Sequence, residues 1–87
     1  MQTITLHDGT VLNGICDLDD GYLYMYIHNL TMVDGFALFS VPAKTDKIIF
    51  NSYLNEYVYE GYTEIYSINM SRGNFNIVMR KADADAT

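Results

Sequence analysis

Tyr22-Leu23-Tyr24-Met25-Tyr26-Ile27 alternates tyrosine with an aliphatic side chain without a break. On an extended strand successive side chains point to opposite faces. The three tyrosines therefore share one face, and Leu23, Met25 and Ile27 share the other. That period predicts a half-buried strand with an aliphatic side for a core and an aromatic side of opposite fate. Asp19-Asp20-Gly21 stands just before it. Asp-Gly tolerates the positive φ of a tight hairpin turn, so a strand over residues 10–18 is expected to fold back on the tyrosine strand. Gly14 inside that strand marks a bulge or a close backbone approach.

The same period runs through most of the chain. Residues 3–6 alternate Thr3, Ile4, Thr5, Leu6 ahead of His7-Asp8-Gly9, a second turn signal. After the tyrosine strand the period lengthens. Thr31-Met32-Val33-Asp34 places a hydroxyl at an N-cap with an acid three residues on, close to a capping box. Met32, Val33, Phe36, Ala37 and Phe39 then fit one face of a short helix, with Val33, Phe36 and Phe39 expected against a sheet and Pro42 ending it. Gly35 costs such a helix about 1 kcal/mol relative to alanine, so packing has to hold it. Strand patterns return at residues 47–50 and 57–59, then 63–68 after an interruption at Gly61, and finally 75–80 beyond the Ser71-Arg72-Gly73-Asn74 turn.

The expected fold is α+β and mostly β: a curved antiparallel sheet or small barrel of about six strands, in the order β-β-β-α-β-β-β, with one short helix. Residues 1–81 are read as a single domain. Residues 82–87, Ala-Asp-Ala-Asp-Ala-Thr, carry no large apolar side chain and are expected to form a disordered acidic tail. With 49% apolar residues, 87 residues suffice for a core without a metal or disulfide. Cys16 is the lone cysteine, which suits a reducing compartment. The N-terminus lacks the basic start and apolar run of a signal peptide, and no apolar stretch approaches the roughly 20 residues of a membrane span. A cytoplasmic location is the expectation.

Eleven acids against five bases give a formal charge of −6. Such a chain repels phosphate backbones and argues against direct nucleic-acid binding; it is drawn instead to basic proteins. The acids gather at Asp17, Asp19 and Asp20 and again at Glu56, Glu60 and Glu64, close in sequence to tyrosines. Eight tyrosines stand in the chain, and tyrosine offers a large contact area with a polar tip, hence its enrichment at interfaces. The bland alternatives are that the acids serve solubility and that the helix covers the tyrosines. The expected partner-binding residues are Asp17, Asp19, Asp20, Tyr22, Tyr24, Tyr26, Glu56, Glu60 and Glu64.

Catalytic patterns are missing from the sequence: it holds no glycine-rich phosphate loop, nucleophile elbow or His-Glu-x-x-His. Asp17, Asp19 and Asp20 do not have EF-hand spacing, because His28 stands where the loop needs a bidentate glutamate. Acids near Cys16 would raise its pKa and quiet the thiol. The reading is a non-enzyme with no cofactor and no metal.

Three further strings, Ile4-Thr5-Leu6-His7-Asp8-Gly9-Thr10-Val11-Leu12, Lys44-Thr45-Asp46-Lys47-Ile48 and Tyr59-Glu60-Gly61-Tyr62-Thr63, together resemble small proteins of unassigned function encoded by phages and prophages of gut Firmicutes. The resemblance carries over no site residue. It implies either a virion part or an inhibitor of host defence of the anti-CRISPR type, acting in the bacterial cytoplasm. An inhibitor of that kind would present its acids to a basic, nucleic-acid-binding host protein such as Cas9, as a monomer or homodimer. The alternatives are a virion or assembly protein that self-associates through strand edges, and a small metal-binding or enzymatic domain.

Overall fold

The computed structural model of the protein describes residues 2–82. The chain runs β1 (Thr3–Thr5), β2 (Val11–Asp19), β3 (Tyr22–His28), α1 (Met32–Phe39), α2 (Pro42–Thr45), β4 (Lys47–Ser52), β5 (Asn55–Glu60), β6 (Glu64–Ser71) and β7 (Asn74–Arg80). The strands form one seven-stranded antiparallel sheet in the order β5-β4-β1-β2-β3-β7-β6. The mostly β, α+β reading holds, and the sheet is open, not closed into a barrel. The tail reading at residues 82–87 lies, from residue 83 onward, outside the described residues.

Residues 57–68 read as one strand interrupted at Gly61; they are two strands, β5 and β6, at opposite edges of the sheet. Only residues 61–63 join them. From Glu60 to Glu64 the chain reaches about 14 Å at most. In a flat sheet the two edges would stand about 29 Å apart, six inter-strand steps of about 4.8 Å. The sheet must therefore roll until its edges approach. Gly61, at φ 86°, begins the link, and its N–H donates to the Asp46 carbonyl at 2.9 Å. Tyr62 in the link is buried, edge-on to Tyr59 with ring centroids 6.3 Å apart.

Strand β2 is the corner of the roll. Val11, Leu12 and Asn13 pair with β1, while Gly14 onward pairs with β3. At Gly14 a Cβ would fall inside the Tyr26 carbonyl oxygen, so only glycine lets the two strands approach here.

The inward faces of both halves meet in one core. Ile4, Ile48 and Phe50 come from the β1–β4 half, and Leu23, Met25, Ile27, Phe75, Ile77 and Met79 from the β3–β7 half. Helix α1 packs on Phe75 of the second group. Thr31 caps it as the sequence predicts, its Oγ1 accepting from the Asp34 N–H at 3.1 Å. Its inward face differs from the expected one. Phe39 is buried and stacks on Phe75 at 5.9 Å, but Val33 is 78% exposed and Phe36 53%. The cause is Gly35, whose missing side chain lets the helix sit directly on the Phe75 ring. Gly35 and Phe39 are one turn apart and fix the rotation, which turns Val33 away. Pro42 does not simply stop α1; it opens the short second helix α2, whose first turn needs no proline N–H.

Candidate protein-docking face

Leu23, Met25 and Ile27 are fully buried in the core, so the tyrosine side of β3 turns outward, with Tyr26 41% exposed and Tyr22 and Tyr24 half-buried. Antiparallel register places residues directly opposite one another on the same face. Asp19, Tyr22, Arg80 and Glu64 form one row across β2, β3, β7 and β6. Asp17, Tyr24, Val78 and Ser67 form the next, and Ile15, Tyr26, Asn76 and Asn69 the third. The face thus carries a tyrosine column with aspartates on one side and amides and hydroxyls on the other.

A β-bulge makes this row order possible. The β6–β7 register shifts between Ile65 and Ser67, so Tyr66 and Ser67 together oppose Val78. Strict alternation from Glu64 would have sent Ile68 outward and Asn69 into the core. The bulge restores Ile68 to the inside and leaves Tyr66, 55% exposed, beside Tyr22 with ring centroids 4.7 Å apart. The Arg80 guanidinium lies over the Tyr66 ring at 5.2 Å and hydrogen-bonds Glu64, an interaction that holds it still more firmly protonated.

The nine expected contact residues therefore divide. Asp17, Asp19, Tyr22, Tyr24 and Tyr26 are assembled in adjoining rows, with Asp20 in the exposed β2–β3 turn. Glu64 shares the face but is committed to Arg80. Glu56 and Glu60 sit on β5 in the other half of the sheet, opposite Asn51 and Lys47, with no β3 tyrosine in their rows. Tyr57 and Tyr59, on the other face of the same strand, lie opposite Phe50 and Ile48; Tyr59 is half-buried, while Tyr57 stacks on Phe50 and stays 45% exposed. Tyr66, Ser67, Asn69 and Asn76 belong to the face and were not singled out from the sequence as contacts. Alternation from Glu64 is the signal that would have found Tyr66, but only the bulge brings Ser67 and Asn69 out.

A cavity of about 210 Å³ opens on this face between Tyr24, Tyr26, Ser67, Asn69, Asn76 and Val78. The Asn76 Nδ2 donates to Asn69 Oδ1 at 3.0 Å, while the buried Asn76 Oδ1 has no hydrogen-bond partner among the described residues. A larger hollow of about 700 Å³ lies at the rim beside the 61–63 link, between His7, Asp46, Lys47, Glu60, Thr63 and Lys81. Its acids and bases are mixed, with His7 Nδ1 3.8 Å from Asp46 Oδ2. His28 stands apart and shares a 2.9 Å hydrogen bond with Asn74. Among the described residues no three His, Cys, Asp or Glu side chains converge to hold a metal ion. No helix among them is long and apolar enough to cross a membrane.

Cys16 faces the core opposite Met25, and burial pushes its thiol up to about 12. The direction matches the sequence reading; the cause is burial and not the neighbouring acids. Since the folded thiol holds its proton more tightly than the unfolded one, this contribution to stability is complete below about pH 9 and fades as pH rises toward 12. At pH 8 iodoacetamide is expected to label Cys16 only in urea, with the labelling curve following unfolding; rapid labelling of the native chain would contradict the burial.

Compared with protein families, with curated proteins and with solved structures, the chain matches none.

Proposed function

We propose that this chain is a non-enzymatic binding protein whose β2–β3–β7–β6 outer face docks on a basic protein and competes with what that protein normally binds. One observation carries the reading. The Tyr22–Tyr24–Tyr26 column lies on the side of the sheet away from core and helix, with Asp19 and Asp17 in register beside Tyr22 and Tyr24. Tyrosines supply desolvated anchor area with little side-chain entropy to lose. The aspartates steer a cationic partner and exclude anionic ones. A basic surface of this kind is what nucleic-acid-binding proteins present, and the likeness to phage-encoded proteins suggests a host defence effector such as Cas9 as the first partner to try.

The test is charge reversal. The variant Asp17→Lys, Asp19→Lys, Asp20→Asn alters three exposed positions, keeps a residue suited to the left-handed backbone at position 20 (φ 53°), and is expected to fold normally. Its affinity for the basic partner should fall about thirtyfold, and wild-type affinity should drop steeply between 50 and 200 mM salt, at about the ionic strengths where exposed charges are screened. Titration calorimetry at both salts measures this. Equal affinity for the two proteins, or binding indifferent to salt, would remove the proposal.

A further inference from the structure

We infer that the cavity between Tyr24 and Tyr26 is the subsite for a single arginine side chain of the docked protein. This rests on the docking reading above and sharpens it from a charged surface to one anchoring group. Among the described residues no charged side chain lines the cavity. Its polar walls are the Ser67 hydroxyl and the Asn69 and Asn76 amides, and the buried Asn76 Oδ1 is an acceptor still without a donor. A buried acceptor left unpaired is unfavourable, so a donor delivered by a partner is rewarded there. Oδ1 is covered in the unbound chain, and the entering group reaches it by displacing a wall; Tyr26, 41% exposed, has solvent to turn into.

Arginine fits these walls better than lysine. Its guanidinium is planar, weakly hydrated and rich in donors, and it stacks on aromatic rings; an ammonium is a strongly hydrated point charge. Asp17, directly opposite Tyr24 on the side away from the cavity, adds a negative field that favours a cationic donor over a neutral one. The face already holds one arginine in this manner: Arg80 lies over Tyr66 and bonds Glu64. The anchor repeats the ring contact in the next two rows, with Tyr24 and Tyr26 supplying the aromatic faces and Ser67 standing where the Arg80 row has Glu64.

The experiment compares tetra-arginine with tetra-lysine binding to the full chain by calorimetry, and follows the Asn69 and Asn76 side-chain amide signals by NMR. Tetra-arginine is expected to bind about tenfold tighter and to shift both amides, the margin that aromatic and bidentate contacts give a guanidinium. Asn69→Ala, at an exposed position, should bring the preference below about twofold; it removes the acceptor of the Asn76 Nδ2, so the chain stays folded with a melting temperature lower by only about 4–8 °C. Equal binding of the two peptides overturns the anchor while leaving electrostatic docking intact. Failure of both peptides to bind overturns the anchor and the docking reading together. An arginine preference that survives Asn69→Ala, with neither amide signal shifting, places the selectivity elsewhere and also overturns it.

Discussion

Replacing Gly14 by alanine is expected to cost about 3 kcal/mol, the upper end of ordinary overpacking, because the obstacle is backbone and not a yielding side chain. The added methyl meets the Tyr26 carbonyl oxygen and lies close to the Ile27 Cα. Relief requires β2 and β3 to separate where β2 changes ladders, so the damage spreads to both halves of the sheet. For a domain of this size that loss lowers the melting temperature by about 12–24 °C. Gly9→Ala is the control. Gly9 has open space around it but sits at φ 94°, so alanine there costs only the local strain of a left-handed residue, about 1–2 kcal/mol. A Gly14→Ala protein melting within a few degrees of wild type would show that the strands can separate freely at the corner.

Phe39→Ala is expected to be at least as damaging, with a loss of about 3–5 kcal/mol, the range for emptying a phenylalanine site in a core. Phe39 is fully buried and stacks on Phe75, which in turn supports Gly35. No other α1 side chain is fully buried, and Met32, Val33 and Phe36 are exposed. Losing this ring therefore removes the main hold on the helix. A chain of 87 residues has a total stability of about 4–13 kcal/mol, so the variant falls close to the folding threshold. Phe39→Leu keeps most of the volume and should lose about 1 kcal/mol. Urea unfolding of the two variants decides this; equal midpoints would mean that α1 is held by something other than the Phe39–Phe75 stack.

The sequence made the strand phases legible because alternation is a local property. Tyr22 to Ile27 fell on the faces their order implied, and Thr31 capped the helix as its hydroxyl and the following Asp34 indicated. Three features were set by contacts remote in sequence and could not be read there. The rotation of α1 depends on a glycine meeting the Phe75 ring, so hydrophobicity alone chose the wrong side for Val33 and Phe36. The Ile65–Ser67 bulge leaves no compositional mark, which hid Ser67 and Asn69 from the candidate face. The split between β5 and β6 followed from the partner each strand found, β4 and β7, and a single glycine looked the same as a bend. For that reason the acids at Glu56 and Glu60 were grouped with a face whose rows they do not join, while Asp17 and Asp19 joined it through a hairpin their own sequence announced.

The short passage from β5 to β6 also sets the order in which this protein can fold. Four ladders, β1–β2, β2–β3, β4–β5 and β6–β7, join neighbours in the chain and need only small loops to close. The other two are non-local: Thr3 must find Asn51, and Tyr22 must find Arg80. With residues 61–63 as the sole tether between the last two hairpins, docking either one brings the other along at high effective concentration. The slow event is the first long-range encounter, and the second follows quickly behind it. The chain thus combines the high contact order that makes β proteins fold in milliseconds to seconds with a tether that turns two searches into one.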